Sequence, residues 1–185
     1  MTIQDSRTDF RLATISALVK RAPHALGRTA MMKLVYFLQI LHKVPLEYDF
    51  RIYTYGPYDS QVLEDLKIAE LKGCVKSSIV GYAIGNGYAI APGAEADAVV
   101  ARCCSIADFI PKIDSVLADF GNRSATDLEM ASTIVFVARA EASSGKVVAL
   151  SETAQKVREM KPRLDLNRIL QEAIALKNEG YIAAP

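Results

Sequence analysis

Two histidines and three cysteines are the residues of this chain best suited to acid–base, nucleophilic or metal chemistry. The histidines are His24 and His42, and the cysteines are Cys74, Cys103 and Cys104. Nucleophilic catalysis needs a nucleophile beside a base that a third group orients, and a zinc site needs ligands at short, regular spacing. The histidines lie far along the chain from the cysteines and match no zinc motif. We therefore expect no catalytic residues and no bound metal or cofactor.

Paired acids and glycine-rich loops give no stronger sign of an enzyme. Glu64 and Asp65 are neighbours on a predicted helix, so their side chains point about 100° apart and do not share a site. Gly81, Gly85 and Gly87 belong to a predicted hairpin, and no Lys-Ser or Lys-Thr pair follows them as a phosphate-binding loop requires. The sequence therefore predicts a protein that is not an enzyme.

Composition predicts a protein with a packed core. Of its 185 residues, 51% are apolar and 23% are charged, which is ample for a hydrophobic interior.

No stretch reaches the roughly 18 uninterrupted apolar residues that span a bilayer. An odd number of cysteines, two of them adjacent, fits a reducing compartment better than a disulfide framework. The expected location is the cytoplasm, without contact to a membrane.

Charge is distributed unevenly, although the formal net charge is only +1. Residues 1–43 hold seven Lys and Arg against two acids, whereas residues 44–72 hold three against six. A helix that reads duplex DNA faces dense phosphate charge and normally carries basic residues. The third predicted helix is acidic, which disfavours DNA reading through that helix.

Hydrophobic periodicity and turn residues predict the elements of the first half. In order they are a helix capped by Thr8 and ended by Pro23, a helix from near Thr29 through Lys43, a strand over 48–54, a helix from Asp59 to Gly73, and a hairpin that turns at Gly85-Asn86-Gly87. This order is that of a winged-helix unit, in which the hairpin forms the wing.

The second half is predicted to be helical throughout. The expected helices are one over 99–120 that is kinked at Pro111, one opened by a capping box at Thr126–Glu129, one over 151–160, and one capped by Asp165. The expected fold class is therefore α+β and mostly helical. A winged-helix-like region at 1–93, with a β-hairpin, is expected to pack against a helical region at 94–185.

Five of the fourteen aromatic residues fall within eleven positions. They are Tyr48, Phe50, Tyr53, Tyr55 and Tyr58. Strand alternation turns Tyr48 and Phe50 inward and leaves Tyr53 and Tyr55 on another face. Tyrosine combines a large contact area with a polar tip, as interface anchors do. A partner-binding surface and a simple covering of the core both fit this cluster.

Three segments resemble the SocA-like antitoxin domain, also called Panacea, and more closely its YwgA-type branch. The segments are KLVYFLQ at 33–39, PLEYDFRIYTYGPYDSQVLEDL at 45–66 and LKGCV at 71–75. The family pattern is a Lys-Leu-x-Tyr helix, an aromatic strand and a Tyr-Gly-Pro turn, and the matching positions are Lys33, Leu34, Tyr36, Phe37, Tyr55, Gly56, Pro57 and Tyr58. A weaker likeness covers 125–182 and includes LEMASTIVFVA, VREMKP and the closing helix.

The resemblance implies a non-enzymatic bacterial or phage protein. Antitoxin members neutralise a partner toxin, SocA delivers its toxin to a protease, and the YwgA-type branch has no assigned function. The expected function is a protein-binding module of the antitoxin or proteolytic-adaptor kind. A winged-helix DNA-binding regulator and a self-associating structural protein are the alternatives.

Seven residues are predicted to carry the family signature or partner binding. They are Lys33, Tyr36, Tyr53, Tyr55, Gly56, Pro57 and Tyr58. Pro57 restricts φ and Gly56 permits a turn that most residues resist, so the Tyr-Gly-Pro-Tyr corner is expected to aim two tyrosines. Lys33 lies on an otherwise apolar helix and is expected to snorkel or to pair with Asp59 or Glu64.

Overall fold

The structure is a computed structural model that describes residues 6–82, 85–145 and 148–183. Within these residues the chain is mostly helical with two small β-hairpins, so the predicted mostly helical α+β class is confirmed. The chain divides into two compact units. The first unit holds Met1–Phe50 and Asp59–Ala125, and the second holds Arg51–Tyr58 and Thr126–Pro185. The boundary predicted between residues 93 and 94 falls inside the first unit.

The described helices and strands follow one another in this order: α1 (Arg7–Arg21), α2 (Arg28–Ile40), β1 (Arg51–Tyr53), β2 (Gly56–Tyr58), α3 (Ser60–Leu71), β3 (Val75–Tyr82), β4 (Gly85–Pro92), α4 (Ala96–Arg102), a 3-10 helix (Cys104–Phe109), α5 (Ile110–Phe120), α6 (Ala125–Ser143), α7 (Leu150–Met160) and α8 (Leu166–Asn178). None of the helices in this described part is long and apolar enough to cross a membrane.

Helices α1 and α2 form the centre of the first unit. Ser6, rather than the predicted Thr8, caps α1, and its hydroxyl accepts a hydrogen bond from the Asp9 N–H at 3.1 Å. The helix ends at Arg21 because Pro23 disfavours helical geometry at Ala22, which is extended. Leu34 and Phe37 of α2 are fully buried, and the Phe37 ring stacks 4.1 Å from that of Phe120 in α5. Stacked rings and aliphatic side chains therefore build this core.

The second hairpin, β3–β4, is antiparallel along its whole length, from Val75 opposite Pro92 to Tyr82 opposite Gly85. The predicted hairpin is present, but its predicted turn is wrong, because Gly85, Asn86 and Gly87 belong to β4. The connection at 83–84 lies outside the described residues. Leu26, between α1 and α2, adds an isolated antiparallel bridge to Ile90. The winged-helix resemblance itself stays a prediction.

Pro111 begins a helix instead of kinking one, so the prediction of one long helix over 99–120 is wrong. Helix α4 ends at Arg102, Cys103 is extended, and the 3-10 helix leads to α5. Pro111 lies in the first turn of α5, where the N–H that proline lacks would have no intrahelical partner in any case. Regular hydrophobic spacing continues across these breaks because every segment packs on the same core.

A buried polar network joins α1, the segment before β1, and α3. Arg11 is 8% exposed, and its guanidinium donates hydrogen bonds to the carbonyls of Leu46 and Glu47, both at 2.7 Å. Asp65 on α3 is 2% exposed and lies 3.5 Å from Arg11 Nη1. The Tyr48 hydroxyl donates to Asp65 Oδ2 at 2.8 Å. The inward direction predicted for Tyr48 is therefore confirmed, and its polar end is satisfied within the core.

Tyr48 should make the first unit lose stability at alkaline pH. Burial and the neighbouring Asp65 carboxylate raise the pKa of the Tyr48 phenol well above its usual range. Unfolded tyrosine ionises near pH ~10, so above that pH the unfolded chain loses a proton that the folded chain keeps. The free energy of unfolding should then fall by about 1.4 kcal/mol per pH unit on account of this group.

Denaturant unfolding of the wild type and of Tyr48→Phe between pH 8 and pH 11 measures this effect. The variant should be less stable at neutral pH by about 1–3 kcal/mol, because Asp65 loses a buried donor. It should also lack the alkaline component of the decline. Parallel curves for the two proteins above pH 10 would contradict the prediction.

Helices α6, α7 and α8 form the second unit together with the first hairpin, β1–β2. Helix α6 begins at Ala125, so Thr126 lies inside it and the predicted capping box is wrong. Its Glu129 is only 3% exposed. Asp165 caps α8 as predicted, with its side chain accepting from the Arg168 N–H at 2.9 Å. Glu129, which was expected to cap the start of α6, is therefore a buried carboxylate, and its partners are the side chains of Lys161 and Arg163.

Candidate functional site

The Tyr-Gly-Pro signature forms a short β-hairpin in the second unit. Strands β1 and β2 pair antiparallel, with Arg51 opposite Tyr58, Ile52 opposite Pro57, and Tyr53 opposite Gly56. The strand predicted over 48–54 is therefore limited to three residues, and Gly56-Pro57 lies in the second strand instead of the turn. Thr54 and Tyr55 make the turn. Pro57 is tolerated because a short edge strand does not need its missing N–H.

Position 56 requires a glycine for two reasons, its backbone conformation and the close approach of α6. Its φ is +84°, a region that L-residues rarely adopt. A Cβ at this position would lie 2.9 Å from Thr133 Oγ1 and 3.3 Å from Ser132 Oγ, both on α6. The hairpin backbone therefore approaches α6 more closely than any side chain would allow. The signature glycine fixes where the turn lies against that helix.

Replacing Gly56 by alanine should destabilise the protein by about 2–4 kcal/mol, because the strain of a positive φ adds to overpacking against α6. Thermal and denaturant unfolding of Gly56→Ala measure the loss. Gly81→Ala is a matched control, since Gly81 also lies in a strand and nothing stands within 4 Å of the position that an alanine methyl group would take there. Equal stability of the two variants would show that the close approach is unimportant.

A buried ion pair between Lys161 and Glu129 lies against the backbone of the Thr54-Tyr55 turn. Lys161, just after α7, is 4% exposed, and its Nζ lies 3.1 Å from Oε1 of the buried Glu129. The same ammonium group donates to the carbonyl of Tyr53 at 3.1 Å and to that of Thr54. The ammonium group thus makes two hydrogen bonds to the turn, and its contact with Glu129 Oε1, which accepts no hydrogen bond from the described residues, is an ion pair. Lys161 couples the turn backbone to α6.

Arg163 completes this cluster on the surface. Its Nη2 donates to Glu129 Oε2, and its guanidinium carbon lies 5.3 Å from the centre of the Tyr55 ring. Its side chain is 53% exposed. Periodicity alone did not predict Glu129, Lys161 and Arg163 as site residues. The segments LEMASTIVFVA and VREMKP, which carry the weaker family likeness, contain Glu129 and Lys161, and Arg163 directly follows the second segment.

Two tyrosines project from the turn into solvent. Tyr53 is 69% exposed and Tyr55 is 59% exposed. The Tyr58 ring is half-buried, with its centre 5.7 Å from that of Tyr53. We call Tyr53, Thr54, Tyr55 and Arg163 the tyrosine tip. It combines two large rings, their hydroxyl groups and one cation on a backbone that is held in place.

The seven predicted signature residues separate into two groups. Tyr53, Tyr55, Gly56, Pro57 and Tyr58 come together in the β1–β2 hairpin. The remaining two, on α2, belong to the core of the first unit.

The signature residues on α2 are buried. Lys33 is 2% exposed, so the prediction that it snorkels to water is wrong, because its stem is enclosed on all sides by protein. Its predicted pairing with Asp59 or Glu64 stays a prediction. Tyr36 is 1% exposed, and its ring packs edge-on against Phe50, with centres 5.1 Å apart. These two residues contribute to packing and not to an exposed surface.

The histidines and cysteines show no arrangement typical of a catalytic or metal centre. His24 is exposed, whereas His42 is partly buried, and burial lowers the pKa of its imidazole. Cys74 and Cys103 are buried, Cys104 is exposed, and all are free thiols. Across residues 6–82, 85–145 and 148–183, no group of three His, Cys, Asp or Glu side chains is placed to hold a metal ion.

No protein-family model matches the sequence, and no curated protein is significantly similar to it. The likeness to the SocA-like antitoxin domain therefore stays a prediction that the quoted motifs carry.

Proposed function

We propose that this protein is a non-enzymatic binding module of the antitoxin or proteolytic-adaptor kind, and that it binds a partner protein through the tyrosine tip. The observation that carries the proposal is the exposure of Tyr53 and Tyr55 on one turn. Tyrosine and arginine are the residues most enriched among interface anchors. Two large rings left in water beside an arginine are typical of a surface that a partner covers.

Rigidity of the turn supports the same proposal. Gly56 lies close against α6, and Lys161 binds the carbonyls of Tyr53 and Thr54. Association loses free energy whenever loops and side chains must become ordered at an interface. A turn that is already fixed avoids part of this loss.

The antitoxin or adaptor class rests on the family resemblance, and the tip adds a physical reason for it. The Tyr-Gly-Pro signature by which the resemblance is identified occupies the exposed hairpin. Free thiols at Cys74, Cys103 and Cys104 fit a cytoplasmic location, where thiols stay reduced. The partner would be a toxin or a protein delivered to a protease.

Co-purification followed by substitution tests the proposal. The tagged protein is incubated with lysate of its own source, with and without nuclease, and a stoichiometric partner protein is identified and purified. Tyr53→Ala combined with Tyr55→Ala should then weaken its affinity by about 100-fold, if each ring is worth about 1.4 kcal/mol. Tyr88→Ala, a partly exposed tyrosine on β4, is the control and should change the affinity less than threefold. A folded double variant with unchanged affinity would refute the proposal.

A second candidate is a winged-helix DNA-binding regulator. The Leu26–Ile90 bridge favours it, because it adds a strand-like segment from between α1 and α2 to the β3–β4 hairpin. The charges of α3 oppose it, since Glu64, Glu70 and Lys67 are its exposed charged residues and leave that surface net negative. Binding to duplex DNA that weakens steeply with salt would favour the regulator. We expect no such binding.

A further inference from the structure

The charge of the tyrosine tip indicates what chemistry its partner should present. Glu129 is the one carboxylate shared by the ammonium of Lys161 and the guanidinium of Arg163. One negative and two positive groups leave the cluster with one net positive charge. Lys161 is buried, so that charge reaches solvent through the half-exposed Arg163.

Arg163 has hydrogen-bonding capacity to spare. A guanidinium carries five N–H donors in one plane, and Nη2 supplies the one that binds Glu129. Among the described residues, no other hydrogen-bond acceptor contacts this side chain. The unoccupied N–H groups of a guanidinium can bind a carboxylate through two parallel hydrogen bonds, in a bidentate geometry. Tyr55 stands beside it and limits the directions from which a ligand can approach.

The neighbouring side chains reinforce this preference for an anion. The hydroxyl groups of the exposed Tyr53 and Tyr55 are further donors. Asp165, the exposed acid near Arg163 in sequence, is engaged as the cap of α8. The nearby Arg168 is already paired with Asp127.

Resting on the proposed function, we propose that the tyrosine tip binds an acidic segment of its partner protein, in which an Asp or Glu carboxylate pairs with Arg163 and an adjacent apolar residue packs on Tyr53 and Tyr55. A nucleic acid offers anions too. Its binding strength comes from neutralising many phosphates at once, and this protein has a formal net charge of only +1. A single exposed arginine beside the Tyr55 ring suits one carboxylate on a peptide.

A random twelve-residue peptide library displayed on phage, selected against the immobilised full-length protein, tests this proposal. Selected peptides are then synthesised, and their dissociation constants are measured by fluorescence anisotropy. We expect enrichment of Asp and Glu next to apolar residues. Replacing those acids by Asn or Gln should weaken binding at least tenfold, and so should Arg163→Gln. When the acid-free peptide is tested against Arg163→Gln, its affinity should fall little below that of either single change, because both changes remove the same contact.

Arg168→Gln is the matched control for Arg163→Gln. Arg168 is similarly exposed, at 56%, and also binds one carboxylate, that of Asp127, but it lies beside no aromatic ring in the described part of the chain. It should change peptide affinity less than threefold. The peptide-side substitutions leave the protein unaltered, so they decide the question even if Arg163→Gln is poorly folded.

Four outcomes would overturn the inference. If selected peptides lack acids, or bind Arg163→Gln as well as the wild type, the acidic partner is refuted. The proposed function would still stand if those peptides lose affinity for the Tyr53→Ala and Tyr55→Ala double variant. If no peptide is enriched, or if a single-stranded oligonucleotide such as twelve thymidylates binds instead, both proposals fail.

Discussion

Replacing Lys161 by alanine should destabilise the second unit by about 3–5 kcal/mol, the effect typical of removing one partner of a buried ion pair. The substitution leaves Glu129 buried with Arg163 as its remaining cation, and it removes the donor for the carbonyls of Tyr53 and Thr54. Denaturant unfolding measures the loss. Because the turn also loses its anchor, affinity for any partner of the tyrosine tip should fall in the same variant.

Lys156→Ala is the matched control for Lys161→Ala. Lys156 also pairs with an acid of α6, the buried Glu141, but the lysine side chain is 47% exposed and Glu141 keeps the Thr153 hydroxyl as a donor. Water can therefore replace the lost lysine more easily than at Lys161. Its unfolding midpoint should stay close to that of the wild type. A double variant, Lys161→Met with Glu129→Leu, should recover part of the stability lost in Lys161→Ala, because no unpaired buried charge remains. Equal losses for Lys161→Ala and Lys156→Ala would contradict the assignment of Lys161 as an anchor.

Replacing Asp65 by alanine should destabilise the first unit by about 3–5 kcal/mol for the same physical reason. The Arg11 guanidinium would lose its carboxylate in a site where it is 8% exposed, and the Tyr48 hydroxyl would lose its acceptor. The Gln61 side-chain amide also donates to Asp65 at 2.9 Å, and in the variant it would have to hydrogen-bond to water instead. Denaturant unfolding at neutral pH measures the effect.

Glu64 supplies a control in the adjacent position of the same helix. Glu64 is exposed, so Glu64→Ala should change the free energy of unfolding by no more than about 0.5 kcal/mol. In a double-mutant cycle, Asp65→Ala and Tyr48→Phe should cost less together than the sum of their separate effects, because both remove the same hydrogen bond. If Glu64→Ala cost as much as Asp65→Ala, the buried network would not explain the loss.

Helix ends marked by a local signal were predicted well. Asp59 and Asp165 cap α3 and α8, and Gly73 follows the end of α3 with a φ of +70°. Each signal works through hydrogen bonds or steric limits within a few residues. Tyr48 is buried and Tyr53 and Tyr55 are exposed, as predicted. Strand alternation is not the reason, because the strand covers only Arg51–Tyr53.

Predictions failed where distant residues decide between local alternatives. The Thr126–Glu129 pattern is that of a capping box, yet Glu129 is held by Lys161 and Arg163. Lys33 carries a charge that favours water, yet it is buried in the middle of α2. Gly85-Asn86-Gly87 is a strong turn sequence, yet the pairing of β3 with β4 places these residues in a strand. For the capping box and the turn, packing or pairing outweighs a local preference of about 1 kcal/mol. For Lys33, interactions within the protein have to offset the larger cost of burying a charge.

The amino-acid sequence by itself determined the fold class, most helix boundaries and the position of the tyrosine cluster, because these depend on periodicity and on neighbouring residues. Only the tertiary structure decided that Lys161 supports a turn more than a hundred residues earlier in the chain, and that Arg11 and Asp65 form one buried network. Such contacts join segments whose separation leaves no periodic trace. They form because a buried charge must find a partner wherever the folded chain brings one within reach.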